Sequence, residues 1–287
     1  MANESTTTSL NDLLPSIVAE ALFVAQERSI MRGLVRNYTL PMSSGKTITV
    51  PIYPKQTAAA VNEGTDLTNT EIATSGATLT IGEVGIMTTV TDLARNASAS
   101  NVIADVGRLF GEAIAAKMDK DLTALFTGFS NAEGDYTTQI TAASIFKAVA
   151  KLRGQGVDPA GCFCVIHPEI AYDLKSALTT GGSTAAFGGG YGVSDVANEA
   201  MRMGYVGMLA GVPVYETSNI ANVTNAGDFP GAVFHRDALG LAMMQDIKIE
   251  TQRDASLRAD ELVATAVYGV GELYDAYGWG LKYDSSI

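Results

Sequence analysis

The chain has 287 residues, enough for one large domain or two modest ones around a sizeable core. Its 31 acidic and 19 basic residues give a formal net charge of −12, which excludes a surface that grips nucleic acid through clustered Lys and Arg. Apolar residues make up 47% and charged residues only 17%, a pattern expected where much of the surface is covered by something else.

The N-terminus, MANESTTTSL, lacks a basic segment followed by an apolar run, and no stretch approaches the roughly twenty apolar residues that span a bilayer. Leu10 to Leu34 carries apolar residues at helical spacing, among them Leu13, Leu14, Ile17 and Leu22, with Pro15 suited to a first turn. A single amphipathic helix at a terminus does not stabilise itself, so the spacing predicts an arm that docks on another surface.

Thr47 to Tyr53 (TITVPIY) alternates with period two and predicts a strand, which Pro51 restricts to a sheet edge or a bulge. Ala77 to Val90 alternates as a return strand. The intervening residues, including AAAVNEGTDL at 58–67, show no periodicity. A structureless loop of that length is uncommon inside a compact domain, so the pair reads as a projecting hairpin with Glu63-Gly64 at its bend.

A long helix is predicted over residues 101–126, spanning nearly 40 Å at about 1.5 Å per residue. Val102, Ile103, Val106, Leu109, Phe110, Ala113, Ile114, Leu122, Leu125 and Phe126 form its apolar stripe, with Asp105, Arg108, Glu112, Lys117, Asp119 and Lys120 mostly opposite. From Thr141 the pattern becomes α/β: a helix through Ile145 to Leu152, a strand at 162–166, and a helix from Pro168 to Leu178. A Gly-rich stretch follows at 181–192, then a helical segment near 194–203 and a strand at 212–216. After a loop at 219–230, strands are expected at 231–236, 241–251 and 260–283.

Catalytic and ligand motifs fail on spacing or context. Ser44-Gly45-Lys46-Thr47 resembles the end of a phosphate-binding loop, but Leu40 stands where that loop needs glycine and a strand follows instead of a helix. Gly188 to Gly192 would need glycine at 193 for a dinucleotide motif, and that residue is Val193. Cys162, Cys164 and His167 lack a clear fourth zinc ligand, and His235 lies in a different element. These cysteines read as small apolar residues packed under a helix, and two thiols give no disulfide framework, which fits a reducing cytoplasm. Carboxylate pairs such as Glu112 with Asp119, or Asp254 with Asp260, arise by chance among so many acids. No enzyme and no cofactor is expected.

The order of parts resembles the major capsid proteins of tailed bacteriophages, which share the Hong Kong 97-like fold with encapsulin shells. Three features carry the resemblance: AAAVNEGTDL with its small residues and Glu63-Gly64; helix 101–126 after the return strand; and Leu209-Ala210-Gly211-Val212-Pro213-Val214, followed by GAVFHRDALGLAMMQDIKIE. The resemblance implies an α+β fold with an N-terminal arm (1–40) and an extended β-hairpin loop (46–93). A peripheral domain (94–140 and 225–287) would hold the spine helix 101–126, with an inserted α/β axial domain at 141–224. It further implies self-assembly through pentamers and hexamers into an icosahedral head shell that encloses double-stranded DNA without sequence-specific binding. The subunits would assemble in the host bacterial cytoplasm and end in the virion, with no membrane involved.

Inter-subunit contacts would fall on Val61, Glu63, Gly64 and Leu67 at the loop tip, and on Leu13, Leu14, Ile17 and Leu22 in the arm. A separate scaffolding protein, a portal and a cement or decoration protein are the implied partners. Some members lock their shells through a Lys–Asn isopeptide bond; residues 56–76 contain no Lys, so the expected grip is non-covalent. The alternatives are an encapsulin-type compartment holding an enzyme cargo and, less favoured, an α/β enzyme.

Overall fold

The computed structural model describes residues 29–42, 45–53, 55–58, 60–64, 66, 69, 71–93, 102–180, 207–223, 225 and 227–287. The expectations for the helix before Ser29, the Gly-rich stretch and the segment near 194–203 lie outside these residues. Four helices are described: α1 (Met31–Leu34), α2 (Val102–Ala124), α3 (Ala142–Gly154) and α4 (Pro168–Thr180). The strands are β1 (Arg36–Thr39), β2 (Thr47–Ile52), β3 (Ser75–Thr80), β4 (Gly82–Thr91), β5 (Ala132–Gly134), β6 (Cys162–Ile166), β7 (Met208–Leu209), β8 (Val212–Glu216), β9 (Asp228–His235), β10 (Leu239–Asp254), β11 (Ala259–Glu272) and β12 (Gly278–Asp284).

These strands form three sheets of mixed α+β architecture. The first has the order β1-β10-β11-β4, the second β5-β12-β9-β6-β8-β7, and the third pairs β2 with β3 alone. In the four-stranded sheet β11 runs antiparallel to both β10 and β4, while β1 pairs parallel with β10. The six-stranded sheet draws β6, β7 and β8 from residues 141–224, and takes β5, β9 and β12 from the segments on either side.

One core unites the two larger sheets. Phe110, Ile114, Met118 and Leu122 of α2, with Phe126 of the 3-10 turn Leu125–Gly128 that follows it, pack against Leu241, Ile249, Leu262 and Ala264 of the four-stranded sheet. At the C-terminal end of α2, Phe126 meets Phe234 of β9 with ring centroids 5.6 Å apart. A second core lies under α3 and α4, where Ile145, Val149, Leu152, Ile170 and Leu174 cover Cys164, Ile166, Val214 and Val233.

The helical stripe expected on α2 is largely present from Val106 onward, with three departures. Leu109 and Ala113, expected in the core, are exposed, whereas Asp119, expected on the polar side, is fully buried. The spacing Ala115, Asp119, Leu122, Phe126 places that carboxylate on the buried face, and a partnered carboxylate tolerates the position. The strand run expected over 260–283 is interrupted: β11 ends at Glu272, a 3-10 turn follows at Asp275–Tyr277, and β12 starts at Gly278. Strand β1 has no periodic signal in the sequence and is fixed by its pairing with β10.

Candidate assembly surfaces

The hairpin β2–β3 is a two-stranded ribbon that shares its return strand with the main sheet. β3 and β4 are separated by Ile81 alone, so one nearly continuous strand passes from the ribbon into pairing with β11. Pro51 faces Gly76 in the ribbon, and β2 pairs with no second strand among the described residues, in keeping with a residue that has no N–H to donate. Ile48, Val50 and Ile52 alternate half-buried with exposed neighbours.

A small third core anchors the ribbon. Leu40, Leu79, Ile81, Ala242 and Leu273 are buried together, with Tyr38, Ile48, Val50, Ala77 and Val267 against them. The crossing is close enough that β11 needs glycine there: a Cβ at Gly269 would run into the Thr80 carbonyl oxygen. Beyond Ile52 no described residue up to Thr74 lies in a helix or strand. Glu63 and Gly64 form a turn, with Gly64 at φ 81°, a conformation that glycine adopts without strain.

Of the tip residues expected at contacts, Val61, Glu63 and Gly64 are exposed, and Leu67 lies outside the described residues, as do Leu13, Leu14, Ile17 and Leu22. Tyr53 is 71% exposed, Val61 49% and Ile72 57%, so the arm carries apolar side chains that its own chain leaves uncovered. Large apolar side chains also stand exposed elsewhere, at Leu109 on α2, Phe146 on α3, Tyr172 on α4 and Met208 on β7. The sequence reading missed these because each belongs to an amphipathic element whose opposite face is the core.

Two polar clusters tie distant parts of the chain together, one on the spine helix and one on the four-stranded sheet. Asp119 accepts hydrogen bonds from the Ser29 hydroxyl at 3.0 Å, the Ile30 backbone N–H at 3.3 Å and the Asn219 amide at 3.5 Å. Burial raises its pKa, and those three donors oppose the rise. The second cluster lies at the far end of the four-stranded sheet. Arg253 of β10 grips Asp92 with both terminal nitrogens, at 2.7 and 2.6 Å, and reaches Asp260 of β11 at 3.0 Å. The hydrogen bonds it donates to these carboxylates hold the guanidinium firmly protonated. The neighbouring Asp254 caps the hairpin turn, accepting from Ser256 and Leu257, so the Asp254 and Asp260 carboxylates have separate structural tasks.

The residues tested for chemistry are core and cap residues. Cys162 and Cys164 are buried, and burial pushes their thiols up to about 11 and about 12, away from the thiolate a nucleophile requires. His167 stacks on Phe229 with ring centroids 3.6 Å apart, and its Nδ1 accepts the Glu169 N–H. Burial lowers its pKa, so it is held neutral. No group of three or more His, Cys, Asp or Glu able to hold a metal occurs among the described residues. None of the described helices is long and apolar enough to cross a membrane.

Solved structures of similar fold include phage capsids. The capsid structure of the cyanophage P-SCSP1u aligns with a TM-score of 0.70 at 19% identity, covering 90% of this chain and 89% of that one. A chain from Mycobacterium phage Che8 aligns with a TM-score of 0.69 at 20% identity, covering 88% and 90% respectively. The capsid of a native GTA particle gives 0.67 at 12% identity, with 90% and 91% covered. No curated protein matches the chain by sequence. A family model described as phage capsid protein matches residues 74–279, from the return strand of the arm to β12. The chain therefore belongs to the phage capsid protein family, as a structural major capsid protein of a bacteriophage head.

Proposed function

We propose that the arm β2–β3 and the N-terminal residues 1–40 are the elements by which one subunit engages the next. The observation that carries this reading is the mismatch between the two ends of the ribbon. Its base is locked into the subunit by Leu79 and Ile81, while Tyr53, Val61 and Ile72 farther along face solvent. Apolar side chains on a ribbon are stabilised once a second surface covers them, at about 25 cal/mol per Å² buried. Val61, Glu63, Gly64 and Leu67 form the proposed tip contact, and Leu13, Leu14, Ile17 and Leu22 the proposed arm contact. With no lysine in residues 56–76, the grip is non-covalent.

In this reading residues 46–93 are the extended loop, and 94–140 with 225–287 the peripheral domain. Residues 141–224 are the axial domain, whose sheet β9 and β12 complete. Copies of the chain associate as pentamers and hexamers into an icosahedral shell, with no catalytic step of their own. The acidic balance keeps enclosed double-stranded DNA from adhering to the wall. Scaffolding, portal and cement proteins are the further partners, and assembly takes place in the host cytoplasm.

The test is to express the full chain, alone and with a candidate scaffold, and to image the product by negative stain. Closed shells or capsomer rings are expected. A discrete monomer under all conditions, with turnover of a small substrate, overturns the reading.

A further inference from the structure

Helix α3 buries Ile145, Ala148, Val149 and Leu152 and turns the rest of its surface outward. Ala143, Phe146, Ala150 and Arg153 recur at three- or four-residue spacing and share one outer face, with Lys147 and Lys151 in the adjoining row. All six are exposed, and Phe146 leaves 43% of its surface uncovered. The face thus combines apolar area with positive charge.

That charge is poorly balanced within the subunit. Residues 136–157 contain Lys147, Lys151 and Arg153 and no acid, in a chain whose formal net charge is −12. Lys147 pairs with Glu133 at 2.6 Å, whereas Lys151 and Arg153 form no ion pair among the described residues. A third cation joins them from the arm: a Cβ at Gly156, just past the end of α3, would stand 3.1 Å from the Lys55 Nζ. Lys55 likewise forms no ion pair among the described residues. The next acid in sequence, Asp158, is occupied in capping the following turn, where it accepts the Ala160 N–H at 3.0 Å. Cations in a last helical turn suit the helix dipole. That accounts for Lys151 and Arg153 as parts of α3, but not for Lys55 arriving from another element.

The arm carries the opposite pattern. Residues 56–82 contain Glu63, Asp66 and Glu71 and no basic residue. All three acids are exposed, as are Val61 and Ile72, so the tip is not seated on its own α3. Three acids among exposed aliphatic side chains complement three unpaired cations around an exposed aromatic. DNA phosphates would neutralise the cations and leave Phe146, Ala143 and Ala150 uncovered, whereas an arm tip meets both needs.

We propose that the outer face of α3, with Lys55, Lys151 and Arg153, receives the acidic arm tip of a second copy of this chain. Glu63, Asp66 and Glu71 face the three cations, and the aliphatic side chains of the tip lie against Phe146. Lys55 stands at the root of the receiving copy's own arm, so each arm departs beside the place where its neighbour's arrives. Exposed ion pairs contribute little singly, but here the set recurs in every subunit. The proposal rests on the reading of the arm as the element that engages a neighbour, and names the surface engaged.

Charge exchange in the full chain tests it, under conditions where the wild type closes shells. Lys55→Glu, Lys151→Glu and Arg153→Glu together should abolish closed shells at low salt, as should Glu63→Lys, Asp66→Lys and Glu71→Lys together. Combining the two sets restores opposite charges and should recover the shells. Co-assembled Val61→Cys and Ala150→Cys copies should also form a disulfide-linked dimer on oxidation that neither variant forms alone, since Cys162 and Cys164 are buried. Closed shells from either reversed set overturn the proposal, as does a combined variant that does not recover them. Should a reversed set not fold, absence of the mixed disulfide has the same force. A cation-reversed variant that closes shells but loses co-purifying nucleic acid assigns the cations to phosphates and overturns it too. If removal of residues 56–76 abolishes shells while the cation-reversed variant still closes them, the arm grips another surface and this proposal alone fails.

Discussion

The Ser29 hydroxyl donates to the Asp119 carboxylate at 3.0 Å across 90 positions of sequence, tying the exit of the N-terminal segment to the middle of the spine helix. The same carboxylate reaches Asn219, so a single buried side chain joins α2 to two distant loops. Asp119→Ala leaves buried donors without an acceptor and should cost about 1–3 kcal/mol in thermal or denaturant unfolding. Burial raises this carboxyl above its ordinary 3.8, so the stability it contributes is greatest at acid pH and declines as pH rises through its folded value. Asp119→Asn should flatten that slope; an unchanged acid-range profile would count against the assignment.

Arg253 joins three strands, because Asp92 follows β4 and Asp260 lies on β11. A lysine carries the charge without the planar fork, so Arg253→Lys should lose the paired contact with Asp92. Faster amide exchange in residues 88–92 is the expected readout, with a smaller difference from wild type at high salt. Equal exchange in the two proteins would show the clamp to be idle.

Removing residues 56–76 takes away the arm beyond its anchored base and leaves Leu79 and Ile81 in place. The deleted subunit should keep its circular dichroism spectrum and cooperative melting, and should fail to close shells under the electron microscope. Loss of the fold itself would mean that the arm is integral to the core.

Gly269 faces the Thr80 carbonyl where the ribbon crosses β11, so Gly269→Ala forces the two strands apart. Overpacking of this kind costs about 1–3 kcal/mol. Limited proteolysis should then cut the arm near its base sooner than in wild type, and wild-type cleavage kinetics would contradict the close approach.

The buried thiols of Cys162 and Cys164 should react with iodoacetamide in the folded chain at least about a hundred-fold more slowly than a free thiol, since burial suppresses the thiolate. The double change to Ala should leave assembly intact. Rapid alkylation without unfolding, or loss of assembly with both cysteines replaced, would show that the pair is more than packing.

Strands β6 and β8 were legible in the sequence because each is a short apolar run bounded by breakers, Pro168 after one and Gly211 before the other. The hairpin arm was legible for a related reason: alternation stops at both of its ends. Strand β1 was not. Its four residues, Arg-Asn-Tyr-Thr, carry no pattern, and the partner that makes them a strand lies some two hundred positions away. The break in the 260–283 run was hidden among strand-forming residues, where Tyr274 and Tyr277 mask the 3-10 turn at Asp275–Tyr277. Asp119 was misplaced because charge was read as solvent exposure. Its spacing from Ala115 and Leu122 held the better information.

The passage of β3 into β4 through Ile81 also decides how the subunit bears load. A pull on the arm tip runs along the axis of a strand that is paired with β11 from Gly82 to Thr91. The ladder bonds lie across that axis, so the whole row is strained together instead of parting one rung at a time. Whatever holds the tip therefore tugs on the entire four-stranded sheet as one beam, and the ribbon behaves as a tether with its anchor already sunk in the wall.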